Sequence, residues 1–231
     1  MSAILPQENS LNNSAVNKDR ERRLLRTGDG SFTFWIPGVD ETYHSRHGAR
    51  QESMHVFIEN GLWAVEGEEV SVLEVGMGTG LNVYLTERCR RGKVRYTALE
   101  PYPLEEEVVK ELVEAMDEGS EFMRALHGAE FGKEVELAEG FYMTKKKVGL
   151  ELLLEGNYDV IYYDAFGPRV EPDLWTLVRM QQCNNLLNPG GLFVTYCAKG
   201  EVRRNLQSAG FVVERLAGPP GKREMLRARK R

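Results

Sequence analysis

Three glycines and three acidic residues hold most of the chemistry this sequence can carry. Residues 72–82 read V-L-E-V-G-M-G-T-G-L-N: an apolar run with Glu74 inside it, then Gly76, Gly78 and Gly80 at alternate positions. Glycine has no Cβ, so the chain can turn through positive φ and its backbone can approach a ligand closely. The spacing is not that of the dinucleotide fingerprint G-x-G-x-x-G, whose third glycine falls one residue later and which seats a pyrophosphate on a helix N-terminus. A carboxylate two positions before the first glycine is a poor neighbour for a pyrophosphate and a good one for an ammonium group. Glu100 lies 20 positions after Gly80, at the end of the next apolar run, where it can accept hydrogen bonds from both hydroxyls of a ribose. Asp164 ends a third run, in Y-Y-D-A-F-G-P-R-V-E-P-D-L-W, and opens into an aromatic, proline-bearing loop.

The elements that must position these residues alternate in type. Apolar runs predict strands over Ser71–Val75, Val94–Leu99, Tyr158–Tyr163 and Leu192–Cys197. Helical spacing predicts helices over Leu81–Arg91, Leu104–Met116, Trp175–Leu187 and Glu201–Ala209, the last stopped by Gly210. Leu104, Val108, Leu112 and Met116 share one face, opposite a solvated acidic one. Phe211–Leu216 and Glu224–Ala228 flank A-G-P-P-G-K-R and read as a closing antiparallel hairpin. Such alternation builds a mostly parallel sheet with helices on both faces. Ligands of such sheets sit beyond the carboxyl ends of the strands, where the strand order reverses. Ahead of this lie a turn and strand over Arg26–Trp35 and a helix over Gln51–Asn60, ending at Gly61. The expected organisation is a loose polar N-terminus (1–25) and one domain (26–231) with an N-terminal extension over about 26–69.

E-x-G-x-G-x-G followed by an acidic residue after the next strand is the common form in class I methyltransferases, whose ligand is S-adenosyl-L-methionine (AdoMet). That ligand carries an ammonium and a sulfonium and no phosphate. The expected fold is therefore a Rossmann-like class I AdoMet-dependent methyltransferase. A nicotinamide dinucleotide and purely structural glycines remain open alternatives. The loop after Asp164 is a relative of the D/N-P-P-aromatic segment of amino-methylating enzymes. A carboxylate there can hold a substrate amine, and an aromatic ring can pack on its flat part.

Composition narrows the partners. The net charge of -5 gives no global basic field. Local patches remain: Lys222–Arg231 holds six basic residues and one acid, and Arg203, Arg204 and the stretch 18–26 add to them. Phosphate contacts of this kind supply most non-specific affinity for nucleic acid. No apolar run approaches the roughly 20 residues that span a bilayer, and no secretory signal is visible, so a cytoplasmic protein is expected. Cys89, Cys183 and Cys197 are widely spaced and form no C-x-x-C pair, so no disulfide frame or zinc site is expected. His44, His47 and His55 lack the partners of a metal site and read as surface or pocket-lining residues.

Longer motifs carry a resemblance. D-G-S-F-T, Y-H-S-R-H-G-A-x-Q-E-S, E-V-G-M-G-T-G-L-N, Y-D-A-F-G-P-x-x-x-P-D-L-W, T-Y-C-A-K-G-E-V-R-R-N-L-x-x-A-G-F and G-P-P-G-K-R-E-M-L together span about Gly28 to Lys230. With these the chain resembles the methyltransferase part of the MnmC family, which modifies the wobble uridine of tRNA, in a stand-alone form without the flavin-binding oxidoreductase half. The resemblance implies AdoMet as cofactor, the tRNA anticodon loop as partner and no metal. It also implies the final methylation of 5-aminomethyl(-2-thio)uridine to 5-methylaminomethyl(-2-thio)uridine, with a separate enzyme supplying the aminomethyl intermediate. The residues it assigns to the cofactor are Glu74, Gly76, Gly78, Thr79, Gly80, Asn82, Glu100 and Asp164. Asp164 and Phe166 are the expected catalytic pair. Tyr43, Glu52, Pro168, Trp175, Lys222 and Arg223 are expected at the substrate. The sequence departs from the family in F-Y-M-T-K-K-K-V-G-L-E-L-L-L, where relatives often place an acidic residue that contacts adenine; Gly149 and Glu151 are the nearest candidates. Transfer to a small-molecule amine, methyl or aminopropyl, and a non-catalytic AdoMet- and RNA-binding module are the alternative functions.

Overall fold

The computed structural model describes residues 21–231. Two sheets organise them. The first is small and antiparallel: β1 (Arg23–Arg26), β2 (Phe32–Ile36) and β3 (Glu41–Thr42). The expected loose N-terminus therefore gives way to a strand at Arg23, because Leu24 packs on the main core and β1 pairs with β2 along its length. The rest of that expected segment lies outside the described residues. The D-G-S motif ties the small sheet to the helix that follows. Asp29 accepts hydrogen bonds from the Thr27 and Ser31 hydroxyls and, at 2.8 Å, from the Gln51 backbone N–H. That helix, α1 (Ala49–Ser53), runs straight into wider π-helical turns over Met54–Glu59, so the helix expected over 51–60 is present with an irregular second half.

The main sheet has eight strands in the order β10-β11-β9-β8-β4-β5-β7-β6. These are β4 (Glu69–Val75), β5 (Lys93–Leu99), β6 (Glu134–Ala138), β7 (Phe141–Lys146), β8 (Tyr158–Tyr163), β9 (Leu187–Thr195), β10 (Val212–Ala217) and β11 (Glu224–Arg229). The pairs β4–β5, β4–β8, β5–β7 and β8–β9 are parallel. The β10–β11 hairpin adds antiparallel to β9, as the sequence predicts. Chain order runs outward from β4 through β5 to β7, then returns to β8 on the other side of β4, so the strand order reverses there. Helices α2 (Leu81–Cys89), α3 (Glu106–Ala115), α4 (Ser120–Gly128), α5 (Leu177–Leu186) and α6 (Gly200–Ser208) fill the connections.

Cores lie on both faces of the sheet. Val72, Tyr96, Met143, Tyr162 and Val194 point to one, joined by Phe57 and Leu126. Leu73, Leu99, Ile161, Tyr163 and Phe193 point to the other, joined by Trp175 and Met180. This is the two-residue alternation of strands buried on both sides. Two boundaries differ from expectation. Trp175 sits in a 3-10 turn (Pro172–Trp175) ahead of α5. Strand β9 begins at Leu187, directly after the helix, and N-P-G-G is absorbed as a bulge between the Tyr158–Leu187 and Val160–Leu192 pairs.

Candidate active site

A cavity of about 700 Å³ opens at the carboxyl ends of β4, β5 and β8, where the strand order reverses. Val75–Gly78, Leu99–Tyr102 and Asp164–Phe166 form its floor; Tyr43, His44, Glu52, Glu171 and Tyr196 are among its walls. The glycine loop is hooked onto β5, since the N–H groups of Gly76 and Met77 both reach the Leu99 carbonyl. Gly76 has φ +90°, and a Cβ there would stand 2.9 Å from the backbone oxygen of Asp164. Gly78 has φ +52°, and a Cβ there would stand 2.7 Å from the Tyr43 ring. These two glycines let the strand ends and the N-terminal segment close around the cavity.

Glu100 accepts the Gly78 N–H at 2.8 Å and the Tyr102 N–H at 2.9 Å, one on each oxygen. Burial raises its pKa and these two bonds pull it back. A carboxylate oxygen has two lone-pair sites, so each retains one for a ribose hydroxyl. Glu74 is placed differently from expectation. It is fully buried behind the loop and does not line the cavity. Its Oε1 accepts from Asn82 Nδ2 at 2.8 Å, and the same Nδ2 donates to Asp164 Oδ2 at 2.8 Å. Glu74 thus orients the amide that holds Asp164. Thr79, Gly80 and Asn82 also lie off the cavity; a Cβ at Gly80 would meet the Leu126 side chain.

Asp164 is buried at the end of β8 and faces the cavity. Burial holds its carboxyl well above the usual range, with the Glu52 charge adding and the Asn82 bond and Lys222 opposing. Glu171 is pushed up to about 7 by burial, with Glu100 adding; its Oε2 accepts the Phe166 N–H at 3.2 Å. Glu52 is buried and paired with Lys222 Nζ at 2.5 Å, and that ammonium also lies 3.9 Å over the Tyr196 ring. Tyr43 and Phe166 meet edge to face at 5.3 Å, and Arg22 donates to the Tyr43 hydroxyl. Of the expected substrate residues, Tyr43, Glu52 and Lys222 line the cavity with Phe166, while Pro168, Trp175 and Arg223 do not. Trp175 is core: its ring packs on Tyr163 and its Nε1 donates to the Phe166 carbonyl at 2.8 Å. Gly149 and Glu151 both line the far end, beside Leu150 and Arg179.

Tyr196, Glu171 and Arg179 line the cavity beyond the residues expected there, as does His44, which has no expected role. Tyr196 stands in the T-Y-C-A-K-G motif and Glu171 in the Asp164 loop, so a signal was there. Arg179 reaches the cavity from the first turn of α5, and nothing local in the sequence marks it.

A family model described as S-adenosyl-L-methionine-dependent methyltransferase matches residues 105–231, more than half of the chain. The chain belongs to that family. Its cofactor is AdoMet, and the cavity fits it: a nucleoside-sized space, Glu100 beyond β5, and carboxyl groups whose charged form burial disfavours and a bound cation would stabilise. The chain is similar to the tRNA 5-methylaminomethyl-2-thiouridine biosynthesis bifunctional protein MnmC of Aromatoleum aromaticum, 30% identical over 230 residues, covering 90% of this chain and 35% of that protein. The protein of the same name in Methylibium petroleiphilum is 32% identical, covering 84% and 32%. The chain thus spans about a third of the length of these relatives. Among solved structures, MNMC2 from Aquifex aeolicus shares the fold with a TM-score of 0.71 at 24% identity, covering 90% of this chain and 70% of that one. Among the described residues, no helix is long and apolar enough to cross a membrane, and no cluster of three or more His, Cys, Asp or Glu is placed to hold a metal.

Proposed function

We propose that this methyltransferase acts on the wobble uridine of tRNA, converting 5-aminomethyl(-2-thio)uridine to 5-methylaminomethyl(-2-thio)uridine. The observation that carries the reading is Asp164, a buried carboxyl at the cavity floor, among seven acidic residues that line the same space: Glu41, Glu52, Glu100, Glu151, Asp164, Glu171 and Asp173. Such a lining favours a cationic acceptor, and a primary amine is mostly protonated in neutral water. The similarity to MnmC proteins supports tRNA as the carrier of that amine.

Bound AdoMet supplies an electrophilic methyl on a sulfonium. The protein's own task is to deliver a neutral amine to it. Asp164 would receive one proton from the entering ammonium, and the lone pair so freed would form the new C–N bond as the methyl–sulfur bond breaks, its electron pair going to sulfur and leaving neutral S-adenosylhomocysteine. The methylated nitrogen leaves as an ammonium, and Asp164 returns its proton to solvent. Raising the proton affinity of Asp164 by burial brings it toward that of the amine, which favours transfer. Phe166 and Tyr43 wall a slot suited to a flat pyrimidine splayed from an anticodon loop. The exposed Arg223, next in the chain to the cavity-lining Lys222, is a cation for its phosphates, and a separate enzyme would make the aminomethyl group. The rest of the basic tail suits RNA less than the sequence implied. Arg227 pairs with Glu214, and Arg229 and Lys230 donate to backbone carbonyls around the bulge of β9.

A polyamine acceptor is a second reading, favoured by the same seven carboxyl groups. Labelled methyl transfer from AdoMet to aminomethyl-uridine tRNA, unmodified tRNA and putrescine separates the two. Label in the first alone is the expected result; label in putrescine alone would overturn the tRNA reading.

A further inference from the structure

His44 is a buried titratable group of the cavity that the mechanism above leaves unused. It sits between β3 and α1, 6% exposed, with its backbone N–H donating to Thr33 Oγ1 at 2.9 Å. This bond anchors the His44 backbone on β2. Its Nε2 lies 3.9 Å from Asp164 Oδ2, and its Nδ1 is buried with no hydrogen-bond partner. Burial pushes the imidazole down to about 4, with Glu52 opposing and Lys222 adding, so the ring is neutral at physiological pH. A neutral imidazole has one N–H and one lone pair. On Nδ1 that N–H would have no acceptor; on Nε2 it faces a carboxyl oxygen.

We propose that His44 is a positioning residue, donating its Nε2–H to Asp164 Oδ2 and holding that carboxylate toward the incoming amine. The inference rests on the reading of Asp164 given above. The present separation must close by roughly 1 Å, and catalytic hydrogen bonds are commonly long before the reacting complex forms. Asn82 Nδ2 already holds the same oxygen at 2.8 Å, so the two donors together fix the carboxyl plane. The other charged or titratable groups around Asp164 cannot take this role. Glu52 and Glu74 are acids, the Tyr196 hydroxyl donates to the Ala165 carbonyl at 2.8 Å, the Tyr96 hydroxyl faces Glu74, and Lys222 is committed to Glu52. A neutral ring also suits the place: it adds no charge to repel an entering ammonium.

Two variants separate positioning from packing. Glutamine places an amide N–H where imidazole has Nε2; asparagine places it where imidazole has Nδ1. Losing the donor raises the proton affinity of Asp164. The acidic limb of the single-turnover pH–rate profile on aminomethyl-uridine tRNA should therefore move up by about one pH unit in His44→Asn. It should stay within about 0.3 unit of the parent in His44→Gln. AdoMet affinity and melting temperature check that both variants are folded. A second readout needs no turnover. In the 15N spectrum of the protein alone, His44 should be a non-titrating Nε2–H tautomer from pH 5 to 8, and Asp164→Ala should remove that preference. An Nδ1–H tautomer, a cationic ring at neutral pH, or equal limbs in the two folded variants would overturn the inference. Failure of the Asp164 reading itself looks different: Asp164→Ala would then turn over normally.

Discussion

Replacing Gly76 by alanine tests what the glycine loop is for. The residue has φ +90°, which a side chain resists by about 1–2 kcal/mol. Its new Cβ would also stand 2.9 Å from the Asp164 carbonyl, a backbone atom that cannot rotate away. Relieving that overlap means parting the ends of β4 and β8, where the Asp164 N–H donates to the Val75 carbonyl, and overpacking of this kind costs about 1–3 kcal/mol. The sum, about 2–5 kcal/mol, corresponds to a loss of about 4–20 °C in melting temperature for a chain of this length. Gly190→Ala is the control. It has φ +78° with nothing within 4 Å of the added Cβ, so it carries the backbone strain alone, and about 2–8 °C is expected. Calorimetric titration with AdoMet completes the test: the Gly76 variant should bind about tenfold more weakly or worse, a loss of about 1.4 kcal/mol, and the Gly190 variant as the parent does. If both variants melt alike and bind AdoMet alike, the close approach of Gly76 to Asp164 is not what shapes the site.

Three further perturbations follow from the site's electrostatics. Asp164→Ala should lower kcat by about 10²–10⁴-fold with AdoMet affinity nearly unchanged; equal losses in both would make Asp164 a cofactor ligand rather than the proton acceptor. Glu171, held near 7 against an ordinary 4.5, binds a proton in the folded state that the unfolded chain gives up over that window. Its contribution is therefore complete below pH 4.5 and is lost as pH rises to 7, so Glu171→Gln should gain stability over the parent through that range and level off above it, by about 1–3 kcal/mol. A melting series that shows a pH-independent difference would contradict the assignment. Lys222→Met strands the buried Glu52 carboxylate; with the lysine side chain a third exposed, a loss of about 1–3 kcal/mol is expected. Adding Glu52→Gln should recover most of it, and an additive double variant would show the pair to be uncoupled.

The sheet was legible because its central strands are short, mostly apolar runs bounded by glycines and acids. Val72–Val75 and Tyr158–Tyr163 could hardly be anything else. Strands β6 and β7 and helix α4 escaped for opposite reasons. β6 is a short edge strand with glutamates, and β7 buries Phe141, Met143 and, unusually, Lys145, whose ammonium donates to the His127 carbonyl at the end of α4. A lysine at a core position hides the period-two pattern. At the site, residues that contact the ligand space through backbone or strand ends, Gly76, Gly78, Glu100 and Asp164, were readable from motif position. Glu74 was read as facing the ligand because it precedes the loop, but the strand's alternation turns its side chain inward, onto Asn82. His44 and Lys222 come from segments far apart in the chain, and only their packing brings them to Asp164.

The central claim is a methyl group on the aminomethyl nitrogen of a wobble uridine. Purified protein and AdoMet are incubated with tRNA carrying 5-aminomethyl-2-thiouridine, the tRNA is digested, and its nucleosides are resolved by mass spectrometry. Loss of that nucleoside and a matching gain of its 5-methylaminomethyl form are expected, dependent on AdoMet and slowed about 10²–10⁴-fold in Asp164→Ala. An unchanged nucleoside, from protein shown by titration to bind AdoMet, would contradict it.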